Sequence, residues 1–424
     1  MKNFKGSKRK GVQLAAFSPT AIFLTILIVF QFIPGLYIYF SNTQEYLYGD
    51  ISNYSESAIF YLISVGFFLA VFILTRFVIL RGAGFWIKKF TNLEDWVDIY
   101  TKNKSLLLLP RIFAVFSLVS ILIYFFTGGY EKLLLMGSDI DAWEYRLIGY
   151  DDRSRVLTAI LEISRRVFLP VAILYFLLIR KIGKEEYGNF LILLIFIQLL
   201  AATMTMDRAP FFVLLILFFF NYFTGAKSIR NVFIFLLIGF ISIVLLAGIV
   251  TNLQYNIVDF NTANVLGMGL DFFVHRMWLV PSIAPIELSF SLFPWDGDKL
   301  WLEYSRLGAL VTGQYVGTSE AHSIYVAPVG AIGDIWRNFG LVGLFVISIF
   351  LAFYFRGLDL MANKVSPIAL VVGNFLVFAL CFYWVMGVFF SQGAFFTTLI
   401  CYLYFRYEAR ILRISLRADC KTIF

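Results

Sequence analysis

Histidine is the scarcest of the side chains in this sequence that could act as a general base. Among 424 residues only His275 and His322 are histidine. A neutral imidazole can take a proton from a hydroxyl near neutral pH, because its unperturbed pKa is about 6.5. His322 stands in a short polar stretch just ahead of an apolar helix, whereas His275 lies in an apolar segment beside Arg276. The sequence makes His322 the candidate base, with a structural role open for His322 and favoured for His275.

Arginine is concentrated in the segments that the topology described below places outside the membrane. These segments hold only two lysines, Lys132 and Lys299, but they carry Arg146, Arg153, Arg155, Arg165, Arg166, Arg208, Arg276, Arg306 and Arg337. A guanidinium binds phosphate oxygens in a bidentate manner and stays charged when partly desolvated. The bias therefore indicates an anionic ligand on the outer side. Pairing with nearby carboxylates or with lipid headgroups is the alternative for any single arginine.

Asp207 and Arg208 lie in a predicted turn. The chain is almost continuously apolar from 189 to 223, which is too long for one membrane span, so it must reverse near residues 203–210. Both flanking apolar runs are shorter than a bilayer needs, so we expect this pair to lie close to the hydrocarbon core of the membrane. An ionisable residue there costs free energy and usually has a function. Ligand binding by Arg208 is favoured over a local ion pair with Asp207.

Arg165 and Arg166 open another short apolar run, at about 167–180, with Pro170 near its start. We expect both arginines at the membrane edge. Glu162 lies three and four positions before them and can reach either on a helix face. Phosphate binding and pairing with Glu162 have equal support.

Other chemical motifs are weak or absent. Two Asp-x-Asp triplets, Asp139 with Asp141 and Asp296 with Asp298, have a spacing that can hold a divalent ion. Two such triplets are unremarkable in this composition, so solvated loop carboxylates are favoured and a metal site stays an open alternative. The sequence has no zinc-ligand spacing, P-loop or dinucleotide fingerprint.

The composition determines which elements must position these residues. The chain is 60% hydrophobic and only 15% charged, whereas soluble domains carry about 25% charged residues, so a water-soluble enzyme is excluded. Apolar runs lie near 20–40, 58–80, 106–127, 167–180, 189–205, 210–223, 231–250, 340–355, 367–386 and 391–405. We predict an all-α polytopic membrane protein with about ten transmembrane helices.

Basic residues set the predicted orientation. The formal charge of +8 comes largely from the N-terminal tail, from the connections near 81–104, 180–184, 227–230 and 356–364, and from the tail after 406. With ten helices all of these fall on one side, which the positive-inside rule makes cytoplasmic, together with both termini. The charge therefore reports orientation in the membrane and not nucleic-acid binding.

This topology divides the chain into three parts. Residues 1–250 form an N-terminal bundle of about seven helices with an outer loop at 128–166, residues 251–339 form a long outer loop, and residues 340–424 form about three helices and a basic tail. Moderately apolar stretches at 265–280 and 283–293, broken by prolines, predict short helices lying along the interface. No internal repeat supports a repeat-built transporter.

Two stretches resemble the Wzy-type oligosaccharide repeat-unit polymerases, the O-antigen polymerases, which are distant relatives of the O-antigen ligases. One is the arginine turn at 205–209. The other runs from Ala321-His322-Ser323-Ile324-Tyr325 into the segment 330–343 with its spaced glycines. The many helices and the long outer loop before the last helices are also similar to that family.

The resemblance implies a GT-C-like membrane glycosyltransferase of the bacterial inner membrane that needs no metal or cofactor. Its donor and acceptor would be polyprenyl-pyrophosphate-linked glycans at the periplasmic face, and a chain-length regulator is a possible partner. By position, His322 would be the general base and Arg208 would bind pyrophosphate, with Arg337 and Arg276 as further candidates. Arg165, Arg166, Asp207 and Tyr325 complete the predicted substrate-binding set.

Two other functions stay open. A glycan ligase would move the same donor to a terminal acceptor, although Ser323 stands where ligases often have asparagine after the histidine. A lipid-linked oligosaccharide flippase would carry basic residues in mid-helix around a cavity.

Overall fold

The structure is a computed structural model that describes part of the chain. Nearly all of the described residues are helical. The described residues are 12–41, 54–81, 86–91, 107–134, 160–161, 163–181, 188–205, 237, 241, 244–245, 248, 262–271, 274, 278–287, 289–290, 330–386 and 394–421. The helices are α1 (Pro19–Ser41), α2 (Tyr54–Ile79), α3 (Leu108–Gly129), α4 (Tyr130–Leu134), α5 (164–181), α6 (Gly188–Thr205), α7 (Thr262–Asp271), α8 (Val280–Glu287), α9 (Gly330–Ala362), α10 (Pro367–Met386) and α11 (Ala394–Lys421).

Among the described residues, four helical stretches are long and apolar enough to cross a membrane. They are Pro19–Ser41, Tyr54–Ile79, Leu108–Gly129 and Phe339–Ala362, and Gly188–Ala201 and Ile368–Phe382 are shorter apolar helices. The described residues are therefore mainly helical, and their long apolar helices are consistent with the predicted membrane protein. The run at 210–223 lies outside the described residues, so the count of ten spans stays a prediction.

The start of α1 is set by its local sequence. The Ser18 hydroxyl accepts a hydrogen bond from the Ala21 backbone N–H at 3.1 Å, and Pro19 occupies the first helical position. Serine at the N-cap satisfies a backbone donor that the helix leaves open, and proline there loses no hydrogen bond. The first membrane helix therefore begins within two residues of the predicted position.

Aromatic packing joins three of the long helices. Phe23 of α1 stacks on Phe355 of α9 with ring centroids 4.4 Å apart and meets Phe72 of α2 at 4.9 Å. All three rings are buried. In a membrane, where lipid is as apolar as the helix surface, close packing of this kind is a main source of helix association.

Hydrogen bonds between helices define two ends of the bundle. At one, Thr20, Arg76 and Asp359 meet, and we call this the Asp359 end. Towards the other, the Ser57 hydroxyl near the start of α2 donates to the Phe290 carbonyl at 3.3 Å. We call this the Ser282 end, because the segment 282–290 runs to it from Ser282, which contacts the middle of α1 at the Gln31 carbonyl. The start of α1, the end of α2 and the end of α9 therefore lie together, as the predicted topology requires. The side of the membrane that each end faces stays a prediction.

A two-stranded antiparallel sheet was not predicted from the sequence. Strand β1 (Val12–Phe17) pairs with β2 (Trp86–Thr91), with Val12 opposite Thr91 and Phe17 opposite Trp86. The Asn374 side-chain amide donates to the Phe17 carbonyl at 3.0 Å, which ties β1 to α10. The pairing joins segments far apart in the chain, so no local pattern of residues predicts it.

The segment predicted to lie along the interface is in part buried. The described residues of 282–290 are all buried, and α8 packs against α2 and α9. The expectation of an interfacial helix at 283–293 is therefore wrong for its described part. Pro285 leaves a carbonyl without its helical donor, and α8 ends at Glu287. Such short, irregular helices are tolerated at membrane depth only when protein surrounds them.

Candidate functional site

Buried polar side chains gather around Arg165 in the middle of the bundle. Arg165 is 3% exposed, and Ser117, Ser164 and Gln198 are fully buried beside it. The Ser117 hydroxyl donates to the Ser164 carbonyl at 3.4 Å, and the Gln198 side-chain amide donates to the Arg165 carbonyl at 2.9 Å. The niche therefore combines α3, α5 and α6 around one cationic side chain.

The depth of Arg165 differs from the sequence-based expectation. Ser117 lies near the middle of α3, so the turn that it contacts also lies near the middle of that span. The chain is already helical at residues 160, 161 and 163, which means that Arg165 and Arg166 lie inside a helix and do not open it. The prediction of a membrane-edge position is wrong for Arg165. Glu162 lies outside the described residues, so its pairing stays untested.

Pro170 explains the local geometry of this helix. Residues 164–168 form a π-helical turn in which the Leu169 N–H donates to the Ser164 carbonyl, five residues back. The Arg165 carbonyl would accept a hydrogen bond from the N–H of residue 169 in an α-helix or of residue 170 in a π turn. The Leu169 N–H is directed to Ser164 and Pro170 has no N–H, so neither residue serves the Arg165 carbonyl. Proline in membrane helices is tolerated where π adjustments and neighbouring side chains satisfy the freed backbone groups. The Gln198 amide supplies that hydrogen bond.

The Ser282 end holds residues 282–290, which belong to the predicted long outer loop. The Tyr61 hydroxyl donates to Ser282 Oγ at 3.4 Å, and Ser282 Oγ donates to the Gln31 carbonyl at 3.2 Å. Trp336 of α9 stacks on Phe290, with centroids 5.1 Å apart. These contacts fix the segment 282–290, which belongs to the predicted outer loop, against α2 and against the start of α9.

Two of the spaced glycines in the motif 330–343 have clear structural roles. A Cβ atom on Gly333 would lie 2.7 Å from Pro285 Cβ and 2.9 Å from Ser289 Oγ, so only glycine allows this approach of α9 to α8. Gly340 adopts φ 57° and ψ −150° and breaks α9 into two parts. The glycines therefore shape the helix that carries Arg337, whose side chain is outside the described part of the structure.

A buried ion pair at the Asp359 end was missed from the sequence. Arg76 forms a salt bridge with Asp359, and both side chains are fully buried. Arg76 Nε donates to Thr20 Oγ1 at 3.1 Å, and the Thr20 N–H donates to Asp359 Oδ1 at 3.1 Å. The signal was available, because Arg76 is the only charged residue between Glu56 and Arg81. An isolated charge inside an apolar run predicts a buried partner.

Glu408 is a second buried carboxyl, and it lies beyond the apolar run predicted at 391–405. The Tyr175 hydroxyl donates to it at 3.0 Å and the Ser366 hydroxyl at 3.3 Å. Burial raises the pKa of the Glu408 carboxyl well above its usual range. This group joins α5 and α11 to Ser366, the residue before α10.

Most of the predicted site lies outside the described residues. That holds for His322, Arg208, Asp207, Arg276 and Tyr325, and for both Asp-x-Asp triplets. The structure therefore does not test whether these residues meet. Arg166, adjacent to Arg165, is half-buried.

Comparison with known proteins gives no relative. No protein-family model, no curated protein and no solved structure matches this chain.

Proposed function

We propose that this protein is a membrane glycosyltransferase that polymerises polyprenyl-pyrophosphate-linked oligosaccharide repeat units into a surface polysaccharide. The observation that carries the proposal is the motif of His322 followed by the glycine-spaced segment 330–343. The close approach at Gly333 and the helix break at Gly340 support it, because they give this spacing a structural purpose.

The proposed reaction transfers the growing glycan to a hydroxyl of an incoming lipid-linked unit. The bond between the reducing-end sugar carbon and the pyrophosphate oxygen breaks, and a bond forms from that carbon to the acceptor oxygen. His322 takes the proton of the acceptor hydroxyl and later releases it to water. The leaving polyprenyl pyrophosphate keeps the electron pair of the broken bond.

Arginine would stabilise that leaving group. Hydrogen bonds to charged groups contribute about 1.5 to 3 kcal/mol each, and they act most strongly where water is excluded. Arg208 is the first candidate, with Arg337 and Arg276 beside it in the proposal. The bias towards arginine over lysine in the predicted outer segments supports this role.

A surface-polysaccharide gel of the deletion strain tests the function. We expect the ladder of long glycans to disappear while glycans of one repeat unit remain. Loss of all surface glycan, with lipid-linked polymer accumulating in the membrane, would instead identify a ligase.

A lipid-linked oligosaccharide flippase is the second candidate. The buried Arg165 and the buried Arg76–Asp359 pair favour it, because charged residues inside a bundle are typical of transport paths. Deletion of a flippase would leave lipid-linked repeat units on the cytoplasmic leaflet. Deletion of the proposed polymerase would leave them on the periplasmic leaflet, so leaflet-specific labelling separates the two.

A further inference from the structure

The last helix, α11, carries the basic residues of its final part on one side. That part, 406–421, holds Arg406, Arg410, Arg413, Arg417 and Lys421, and the helix continues to Lys421. With about 100° between successive residues of an α-helix, these five positions fall within an arc of about 80°. We call them the basic stripe. The positive-inside rule requires basic residues near a span but not their alignment on one side of a helix, so orientation alone does not account for the stripe.

The contacts of Glu408 show which way the stripe faces. Glu408 is fully buried and accepts hydrogen bonds from the Tyr175 and Ser366 hydroxyls, so its side of α11 faces the bundle. Arg406 and Arg410 lie on the other side of the helix, and both are exposed. Neither arginine forms a salt bridge with a residue in the part of the chain that the structure describes. The stripe therefore begins with two exposed guanidinium groups on the side of α11 away from the bundle.

The same side of α11 is apolar just before the stripe begins. Leu403 lies three residues before Arg406 and seven before Arg410, and its side chain is 52% exposed. Ile400, one turn earlier, is 60% exposed. In a membrane bundle such uncovered apolar side chains contact lipid tails. The lipid-facing surface therefore changes from apolar to basic between Leu403 and Arg406, as expected where the hydrocarbon gives way to the headgroups.

Helix geometry limits how much of the stripe can reach the headgroups. The polar layer on each side of a bilayer is about 5 to 8 Å thick. At about 1.5 Å per residue, Arg413 lies about 10 Å beyond Arg406 along the helix axis, and Lys421 lies about 22 Å beyond it. Side chains lean towards the N-terminus of their helix, which for this part of α11 is the membrane side. Arg406, Arg410 and Arg413 are therefore within reach of the headgroup layer, and Lys421 is beyond it.

We propose that Arg406, Arg410 and Arg413 form a binding surface for the phosphate groups of anionic phospholipids. Guanidinium groups bind phosphate oxygens in a bidentate manner and stay charged when partly desolvated. The exposed arginines and the adjoining lipid-facing Leu403 match the two parts of such a lipid, its charged headgroup and its apolar tails. The inference does not depend on the proposed glycosyl transfer. A soluble acidic protein is the competing occupant, and it would use the far end of the stripe as well as the near end.

Lipid binding to the purified full-length protein tests the proposal. Native mass spectrometry during titration measures the affinity for phosphatidylglycerol, with zwitterionic phosphatidylcholine as the reference. We expect the wild-type protein to prefer phosphatidylglycerol. Arg406→Gln combined with Arg410→Gln should weaken that binding about 25-fold, because each basic residue near an anionic lipid surface contributes a factor of about five. No preference in the wild-type protein, or an unchanged affinity in the double variant, would overturn the proposal.

A matched pair at the far end of the stripe separates headgroup binding from total charge. Arg417→Gln combined with Lys421→Gln also removes two positive charges from α11. We expect it to change the phosphatidylglycerol affinity less than about twofold, because the attraction falls off within a Debye length of about 8 Å. A loss as large as that of the first pair would contradict the depth argument and favour a soluble acidic partner.

The wild-type protein offers a second test that does not depend on how well a variant folds or inserts. Raising the ammonium acetate concentration should weaken phosphatidylglycerol binding and leave phosphatidylcholine binding unchanged, because salt screens exposed charges. Phosphatidylglycerol binding that does not respond to salt would overturn the proposal.

Discussion

Arg76 and Asp359 illustrate how a charged residue is accommodated inside an apolar bundle. The pair is fully buried, and Thr20 hydrogen-bonds both partners. Burying an ion pair costs desolvation that the attraction only partly offsets, but removing one partner leaves an uncompensated charge. The pair therefore determines how α1, α2 and α9 meet.

Removing the carboxylate alone should harm the fold more than removing both charges. We expect Asp359→Leu to lower the free energy of unfolding by about 3 to 5 kcal/mol. Arg76→Met combined with Asp359→Leu should recover much of that loss, because no buried charge remains. Thermal unfolding of the detergent-purified variants measures this loss of stability. The control is Lys364→Met, at an exposed position in the turn between α9 and α10. A double variant less stable than Asp359→Leu would refute this account of the pair.

Residue-level prediction from the sequence succeeded only in part. Arg165 was selected from its position beside an apolar run, but the sequence placed it at the edge, because Glu162, Ser164 and the two arginines interrupt the apolar pattern there. Gln198 was not selected, since nothing local shows that α6 faces a carbonyl freed by Pro170. Such tertiary hydrogen bonds become visible only when two helices are placed side by side.

At the scale of elements, proline and glycine determine where helices deviate. Pro170 produces the π turn of α5, Pro285 lies in the short helix α8, and Gly340 breaks α9. The apolar runs predicted the long helices well because each is long and almost uncharged. The β1–β2 pair and the burial of α8 were not predictable, since both depend on contacts between distant segments.

Substitution of Gly333 should disturb the packing of α8 on α9. Gly333→Ala would place its Cβ within 3 Å of both Pro285 and Ser289, and the proline ring cannot move aside. Overpacking of this kind costs about 1 to 3 kcal/mol. Gly357 is the matched control, because no atom lies within 4 Å of a Cβ built there. Thermal unfolding should show a loss for Gly333→Ala and little change for Gly357→Ala. Equal stability of the two variants would mean that the contact at Gly333 is easily relieved.

At the scale of the whole molecule, the arrangement of the helix ends agrees with the charge pattern. The segments that carry Arg81, Arg356 and Lys364 all leave the bundle near the Asp359 end. The positive-inside rule assigns such an end to the cytoplasm. The Ser282 end would then face the periplasm, on the side of the long loop with His322.

Labelling of intact cells tests that orientation. In a cysteine-free background, Ser41→Cys reports the end of α1 opposite Thr20, and Lys364→Cys reports the Asp359 end. In cells with a permeabilised outer membrane, an impermeant thiol reagent should label Ser41→Cys and leave Lys364→Cys unlabelled until the inner membrane is opened. The reverse pattern would place the proposed site in the cytoplasm.

Reconstitution with synthetic lipid-linked repeat units is the most direct test of the function. The purified wild-type protein in liposomes should convert polyprenyl-pyrophosphate-linked units into a ladder of longer glycans, and His322→Ala should yield only unjoined units. Failure of the wild-type protein to join the units, or polymerisation by His322→Ala at the wild-type rate, would contradict the account.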